Sequence, residues 1–245
     1  MQEKKTRDKS RRNKVLRILL IVIVVPLILL LSWRIGDRKY YLFSSVVLII
    51  SVFVFFLKFE RRKPQAREMV TLAVMAALAA ASRSVFVMLP HYTPMTGIVM
   101  ITGIALGPEA GFLTGAIGAL VSNFVFGQGP WTPWQMFAYG LAGLIAGILA
   151  RHGIIKGHKR VPTAVWAAGI VFCIIGPFLD TATLFLESMM VNAPSVAAVY
   201  AAGVPVNAIH AASTFLTVLI FCKPLTEKLD RLRMKYGIME EEHEI

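Results

Sequence analysis

Charge is the first thing this chain lacks. Only 16% of its 245 residues are Asp, Glu, Lys or Arg, and acids are the scarcer sign, 14 against 26 basic residues. Soluble domains carry about 25% charge, so a water-soluble globule is excluded. Cysteine is nearly absent. Cys173 and Cys222 both fall in apolar runs, so neither a disulfide framework nor a metal-ligand spacing exists. The alternating segments of about ten residues that a transmembrane barrel needs are missing too. Catalytic signatures are missing as well: there is no Gly-x-Ser-x-Gly, no His-Glu-x-x-His and no phosphate-binding glycine loop ending in Lys-Ser/Thr. The chain is therefore not expected to be an enzyme or to hydrolyse ATP, and an ion gradient or a partner must supply any energy. No cofactor and no metal is expected. No internal repeat is visible, which argues against an inverted-repeat carrier.

What the chain has is apolar length. It is 56% hydrophobic, with a mean hydropathy of +0.65. Only helices and closed barrels satisfy their backbone in lipid, so the spans must be helices. Eight are expected, at about 15–33, 40–57, 69–88, 95–107, 109–126, 133–150, 163–190 and 196–222. The fourth is too short to cross as a straight helix; Gly107 and Pro108 separate it from the fifth. The first follows a basic stretch but precedes Arg34-Ile35-Gly36-Asp37 rather than a small-residue cleavage site, and reads as an uncleaved signal anchor.

The surplus of basic residues, +12 overall, lies between the apolar runs and not on one continuous face. That pattern sets orientation and touches anionic lipid; it argues against nucleic acid. The N-terminal tail up to Arg17 carries eight Lys and Arg, five lie at 58–68, four at 151–162 and five after 222. With eight spans these share one side, which places both termini in the cytoplasm of a plasma-membrane protein of bacterial type. The opposite side receives Arg34, Arg38 and Lys39. The remaining basic residue, Arg83, falls inside a span.

The connection at 58–68 divides two kinds of span. Before it, Leu, Ile, Val and Phe dominate, as in lipid-facing helices. After it, Gly, Ala, Ser, Thr, Asn and Pro abound, as in helices packed around a site. The expected fold is therefore an all-α integral membrane protein with three parts. Residues 1–68 form a basic tail and an accessory two-helix hairpin, 69–222 a six-helix core, and 223–245 a charged cytoplasmic tail.

The polar residues of the core gather in the outer half. Arg83 ends one span, Asn123 and Gln128 close another, and Trp131, Trp134 and Gln135 open the next. Asp180 follows on the seventh, in a stripe with Thr183, Leu184 and Glu187; Asn207 and His210 lie on the eighth, in a stripe with Thr214. A charge in mid-membrane costs roughly 2.5–3.5 kcal/mol on the insertion scale, so it is usually paired or functional. The expectation is a polar cavity open to the outside. The plain alternative is that Arg83 and Asp180 pair to hold helices together. His210 is equally a packed, hydrogen-bonded residue or a ligand contact. The segment Phe126-Gly127-Gln128-Gly129-Pro130-Trp131-Thr132-Pro133-Trp134-Gln135 makes a stiff outer loop whose Trp side chains stack on a flat ligand or merely anchor helix ends. A second Pro-framed loop, Leu89-Pro90-His91-Tyr92-Thr93-Pro94, lies over the cavity, with Tyr92 as its contact. On the cytoplasmic half of the third span, Ala73/Ala77 and Ala76/Ala80 are small-xxx-small pairs that let another helix approach, from within the chain or from a partner.

These residues together carry a resemblance. The Ala-rich helix ending Ser82-Arg83, Leu89-Pro90, Gly103-Ile104-Ala105-Leu106-Gly107-Pro108-Glu109-Ala110-Gly111-Phe112, Gly115-Ala116, Ser122-Asn123-Phe124 and Gly129-Pro130-Trp131-Thr132-Pro133-Trp134-Gln135-Met136-Phe137 resemble the substrate-binding S component of energy-coupling factor (ECF) vitamin transporters. The resemblance implies a six-helix membrane subunit that captures a micronutrient from outside. It then topples in the bilayer when a transmembrane coupling subunit and two ATPase subunits act on it. It also implies that the Ala-x-x-x-Ala face, Ala73 and Ala77 with Ala76 and Ala80 beside them, meets the coupling subunit. The ligand would sit under the loop from Pro90 to Pro94. The N-terminal hairpin is a departure from that pattern. Riboflavin-like, cobalamin-like, pterin-like and purine-like compounds all suit the aromatic and polar residues. The competing classes are an autonomous ion-gradient-coupled transporter, an intramembrane enzyme using Ser82 and His210, and a membrane scaffold.

Overall fold

The computed structural model describes residues 40–61, 64–188 and 191–237, and these residues are helical with short connections and no strand. The span expected at 15–33, the basic tail before it and the chain beyond Gly237 lie outside the described residues. Seven helices follow one another: α1 Tyr40–Arg61, α2 Ala66–Val85, α3 Met95–Leu106, α4 Pro108–Phe126, α5 Thr132–Arg151, α6 Arg160–Glu187 and α7 Ala193–Tyr236. Five of them, α2 and α4 to α7, are long and apolar enough to cross a membrane. The chain is therefore an all-α membrane protein. Two compact units divide it at Ser51 and Val52. The described part of the first is the opening half of α1, and everything from Val52 onward belongs to the second.

The short helix is the innermost one. The twelve residues of α3 span about 18 Å at 1.5 Å per residue, well under the roughly 30 Å of a bilayer core. All of them but Ile104 are buried. Its shortness is therefore compatible with a helix enclosed by protein, and Gly107, at a φ of 100°, turns the chain directly into α4. Pro108 takes the first position of α4, where a missing N–H costs nothing.

Glycine sets the packing of α3, α4 and α5. A Cβ on Gly111 would lie 2.6 Å from the carbonyl oxygen of Gly143 and 2.7 Å from Cα of Gly103. One on Gly147 would lie 2.7 Å from the backbone of Pro108. Three backbones thus meet at separations that no side chain permits, as small-residue helix contacts in membranes do. The spaced glycine pairs Gly111/Gly115 and Gly143/Gly147 are consumed by this internal packing.

α6 contains a π-helical stretch, Val171–Ile175, immediately before Gly176 and Pro177. Pro177 has no N–H for the carbonyl one turn back, and a local widening of the helix accommodates that missing bond. α7 opens with a reciprocal cap, in which Asn192 accepts from the Ser195 amide while Ser195 accepts from the Asn192 amide. Its apolar run ends at Cys222, yet the helix continues to Tyr236 and closes on Gly237 in the left-handed conformation. Cys222, Thr226 and Leu229 are buried along one stripe, with Leu232 and Tyr236 half-buried further along. Arg67, at the start of α2, covers the Tyr236 ring at 4.8 Å. The segment after 222 is therefore a docked helical extension as far as Tyr236.

Candidate functional site

Arg83 lies in the last turn of α2, half-buried. Its Nη1 donates to Ser122 Oγ at 2.8 Å and to Asn123 Oδ1 at 2.9 Å, both on α4. Its guanidinium lies 4.2 Å from the centre of the Phe126 ring. Asn123 is fully buried and acts as a hub. Its Nδ2 donates to Gln135 Oε1 at 2.8 Å and to Thr132 Oγ1 at 3.2 Å. Thr132 in turn donates to Gln128 Oε1 at 2.9 Å, and Gln128 returns a bond to the Leu120 carbonyl. One polar network thus joins the ends of α2, α4 and α5. Asn123, Gln128 and Gln135 come together in it with Arg83, as their sequence positions at helix ends suggest. Ser122 and Thr132 belong to it without having been singled out.

Asp180 and Asn207 form a second group. Asn207 Nδ2 donates to Asp180 Oδ2 at 2.7 Å, and both side chains are buried. Two glycines make room for them. A Cβ on Gly176 would overlap the Asn207 amide, and one on Gly203 would overlap the Asp180 carboxylate. Arg83 and Asp180 are each bonded elsewhere and not to each other, so the helix-holding ion pair between them does not form. Thr183 and Glu187, which share the helical stripe of Asp180, are exposed; only Leu184 among them is buried.

His210 is buried and shares a 2.6 Å hydrogen bond with Thr96 Oγ1 of α3. The Tyr139 ring lies edge-on to it at 6.0 Å. Asn207, His210 and Thr214 are all buried along α7, as their common stripe predicts. Thr96 had no signal in the sequence, being one of two Thr, with Thr102, in an otherwise apolar helix.

The two tryptophans part company. Trp131 is 42% exposed and sits over Gly129. Trp134 has no exposed surface; Phe178 and Phe185 of α6 pack on it at 5.4 and 5.8 Å, and its Nε1 has no hydrogen-bond partner. Tyr92 is half-buried and packs on Phe86 at 5.0 Å within the α2–α3 connection. Next to it His91 holds a φ of 62°, a left-handed conformation uncommon outside glycine. No cluster of metal-ligating side chains occurs among the described residues.

On α2 the alanines divide by face. Ala76 and Ala80 are buried at 1% and 5%, and the Ala76 carbonyl lies beside Gly118 of α4. Ala73 and Ala77 are exposed, in a stripe with Val70, Val74 and Leu78.

Residues 63–227 match the family model described as "ECF-type riboflavin transporter, S component". A UPF0397 protein of Clostridium perfringens strain SM101 is 28% identical over 169 residues, covering 63% of this chain and 84% of that protein. A UPF0397 protein of Streptococcus gordonii is 30% identical over 134 residues, covering 49% and 72%. No solved structure matches.

Proposed function

The chain belongs to the family of ECF-type riboflavin transporter S components, a family of substrate-binding transporter subunits, and from that premise we propose that it captures a vitamin or related micronutrient from outside the cell for ATP-driven uptake. In this reading α2 to α7 are the six-helix core, and α1 is the second helix of an N-terminal hairpin. Both termini are cytoplasmic. Capture takes place at the outer ends of α2, α4, α5, α6 and α7. Arg83, Asn123, Gln128 and Gln135 line one side of the ligand, Asp180, Asn207 and His210 the other, and Tyr92, Trp131 and Trp134 offer ring faces. The exposed Ala73 and Ala77 face a transmembrane coupling subunit, which links the core to two ATPase subunits; Ala76 and Ala80 form the layer beneath.

The observation that carries this reading is the Trp134 indole. It is wholly enclosed and ringed by aromatic side chains, yet its N–H meets no acceptor. A buried donor left unpaired costs about 1–3 kcal/mol. A flat heterocycle presenting an acceptor edge would recover that cost once Phe178 and Phe185 part to admit it, and would stack among the same rings.

The test is to purify the full chain and identify co-purifying small molecules by mass spectrometry and absorbance, then to repeat with Trp134→Phe. The expected result is a stoichiometric heterocycle held by the parent and held less tightly by the variant. A chain that retains no small molecule and is not thermally stabilised by any of a panel of vitamins overturns the reading.

A further inference from the structure

We propose that the end of α7 is a binding surface for the headgroups of anionic phospholipids, on a face made by Lys228, Arg231 and Lys235 with Arg67 of α2 beside it. The lipids are those of the leaflet at which α2 begins. The proposal does not depend on which substrate the chain captures.

After Cys222, α7 continues to Tyr236, a length of about 21 Å at 1.5 Å per residue. It does not run off into water. At its near end Cys222 Sγ donates to the Gly157 carbonyl at 3.5 Å, and Thr226 packs beside the same glycine in the α5–α6 connection. In its middle Leu229 joins one cluster with Leu72 of α2 and Leu106 of α3, and Phe56 and Phe59 of α1 pack against it. At its far end the Tyr236 ring lies under the guanidinium of Arg67, in the first turn of α2. Both ends of the extension are therefore held where spans begin, one beside the entry to α6 and one beside the entry to α2. Its side chains are fixed at the boundary of the apolar region.

The side of the extension turned away from the core is basic. Lys228, Arg231 and Lys235 follow one another at intervals of three and four, which puts them on one helix face, and all three are exposed. Lys223 has an acid, Glu227, at 3.8 Å; among the described residues no carboxylate lies within ion-pair distance of the other three. Lys235 Nζ lies 5.2 Å from the centre of the Tyr236 ring, and the Arg67 guanidinium lies 4.8 Å from the same centre, so two cations flank one ring. Just before the extension, Leu216, Ile220 and Phe221 of α7 are exposed. The outer surface of α7 is thus apolar as far as Phe221 and basic from Lys228 onward. That order matches a bilayer in which hydrocarbon gives way to negatively charged headgroups, where each Lys or Arg gains attraction to the surface and a guanidinium takes two phosphate oxygens. Tyr236 sits at the same boundary, the level at which tyrosine is enriched. An acidic protein surface would account for the cations and not for the apolar band beside them.

The experiment uses the full chain in a neutral detergent, titrated with dioleoyl phosphatidylglycerol or with dioleoyl phosphatidylcholine. Thermal unfolding reads the stabilisation, and native mass spectrometry counts the lipids retained. Phosphatidylglycerol is expected to act at a concentration about tenfold or more below that of phosphatidylcholine, and the preference should fade at about 0.5 M salt. The triple variant Lys228→Gln/Arg231→Gln/Lys235→Gln should lose most of it. Lys156→Gln/Lys159→Gln/Arg160→Gln makes the same change in net charge at the α5–α6 connection, on side chains that are also exposed, and should keep it. Where the first triple variant does not fold, Lys228→Gln and Lys235→Gln serve singly, each expected to lower the preference. Inorganic phosphate at matched concentration should not replace the lipid. Equal action of the two lipids overturns the proposal and leaves the basic face to an acidic protein partner. Equal loss in the two triple variants overturns it in favour of net charge alone, and stabilisation by inorganic phosphate as strong as that by phosphatidylglycerol overturns it in favour of a free anion.

Discussion

Asn207 donates its side-chain amide to the Asp180 carboxylate at 2.7 Å, and the two residues occupy space that exists only because positions 203 and 176 are glycine. The pair ties α6 to α7 just beyond the π-helical stretch, where the α6 backbone is least regular. Gly203→Ala should push the carboxylate off its partner and destabilise the chain by about 1–3 kcal/mol, the usual range for overpacking. Thermal unfolding in detergent measures this, and Asp180→Ala tests the cause. If the overlap with Asp180 is what costs stability, Gly203→Ala should cost little in an Asp180→Ala background.

Asn123 holds three helix ends together. Asn123→Ala removes bonds to Arg83, Gln135 and Thr132 at once and leaves Arg83 with Ser122 alone. The expected loss is about 1–3 kcal/mol of stability. Asn123→Asp should behave differently. It supplies Arg83 with the acid it lacks, so the stability loss should be smaller, while any ligand that relies on the Arg83 charge should bind less well. Unfolding and binding measured on the same two variants separate the two roles.

Thr96 and His210 make a buried pair with no substitute in reach of the sequence pattern. Thr96→Val keeps the shape and removes the hydroxyl, which strands one imidazole nitrogen and should cost about 1–3 kcal/mol. His210→Phe alone should also destabilise. The double variant should lose less than the two single losses added, because the stranded partner is gone in both. Strict additivity in a double-mutant cycle would mean that the 2.6 Å bond contributes no coupling.

The spans from 40 onward were legible in hydropathy, and the helix ends carrying Arg83, Asn123 and Gln135 were legible as polar residues where an apolar run stops. The bonding among them was not, because hydropathy ranks residues by depth and says nothing of which side chain a polar group meets. Arg83 and Asp180 looked like partners on charge alone, and packing gave each a neutral amide instead. The extension of α7 to Tyr236 was hidden for a related reason. Its surface is rich in Lys and Arg, which masks a stripe of Cys222, Thr226 and Leu229 at helical spacing. The π-helical stretch at Val171–Ile175 has a sequence cue in Pro177, although proline also permits a kink or a break.

The alanines of α2 show the same limit and give the sharpest test. In sequence, Ala73/Ala77 and Ala76/Ala80 are equivalent small-xxx-small pairs one face apart. In the fold, Ala76 and Ala80 are sealed against the rest of the core, whereas Ala73 and Ala77 stand among exposed apolar side chains. A tryptophan at Ala76 has nowhere to go and should prevent folding or cost several kcal/mol, at the upper end of about 1–3 kcal/mol or beyond. A tryptophan at Ala73 or Ala77 meets open space, so the chain should fold, unfold at nearly the parent temperature and keep its ligand. If that face meets a coupling subunit, the same bulk blocks the close helix approach, and co-purification with the coupling subunit and uptake into cells should be lost together. Ala73→Trp that folds, binds and still supports uptake would place the partner on a different face.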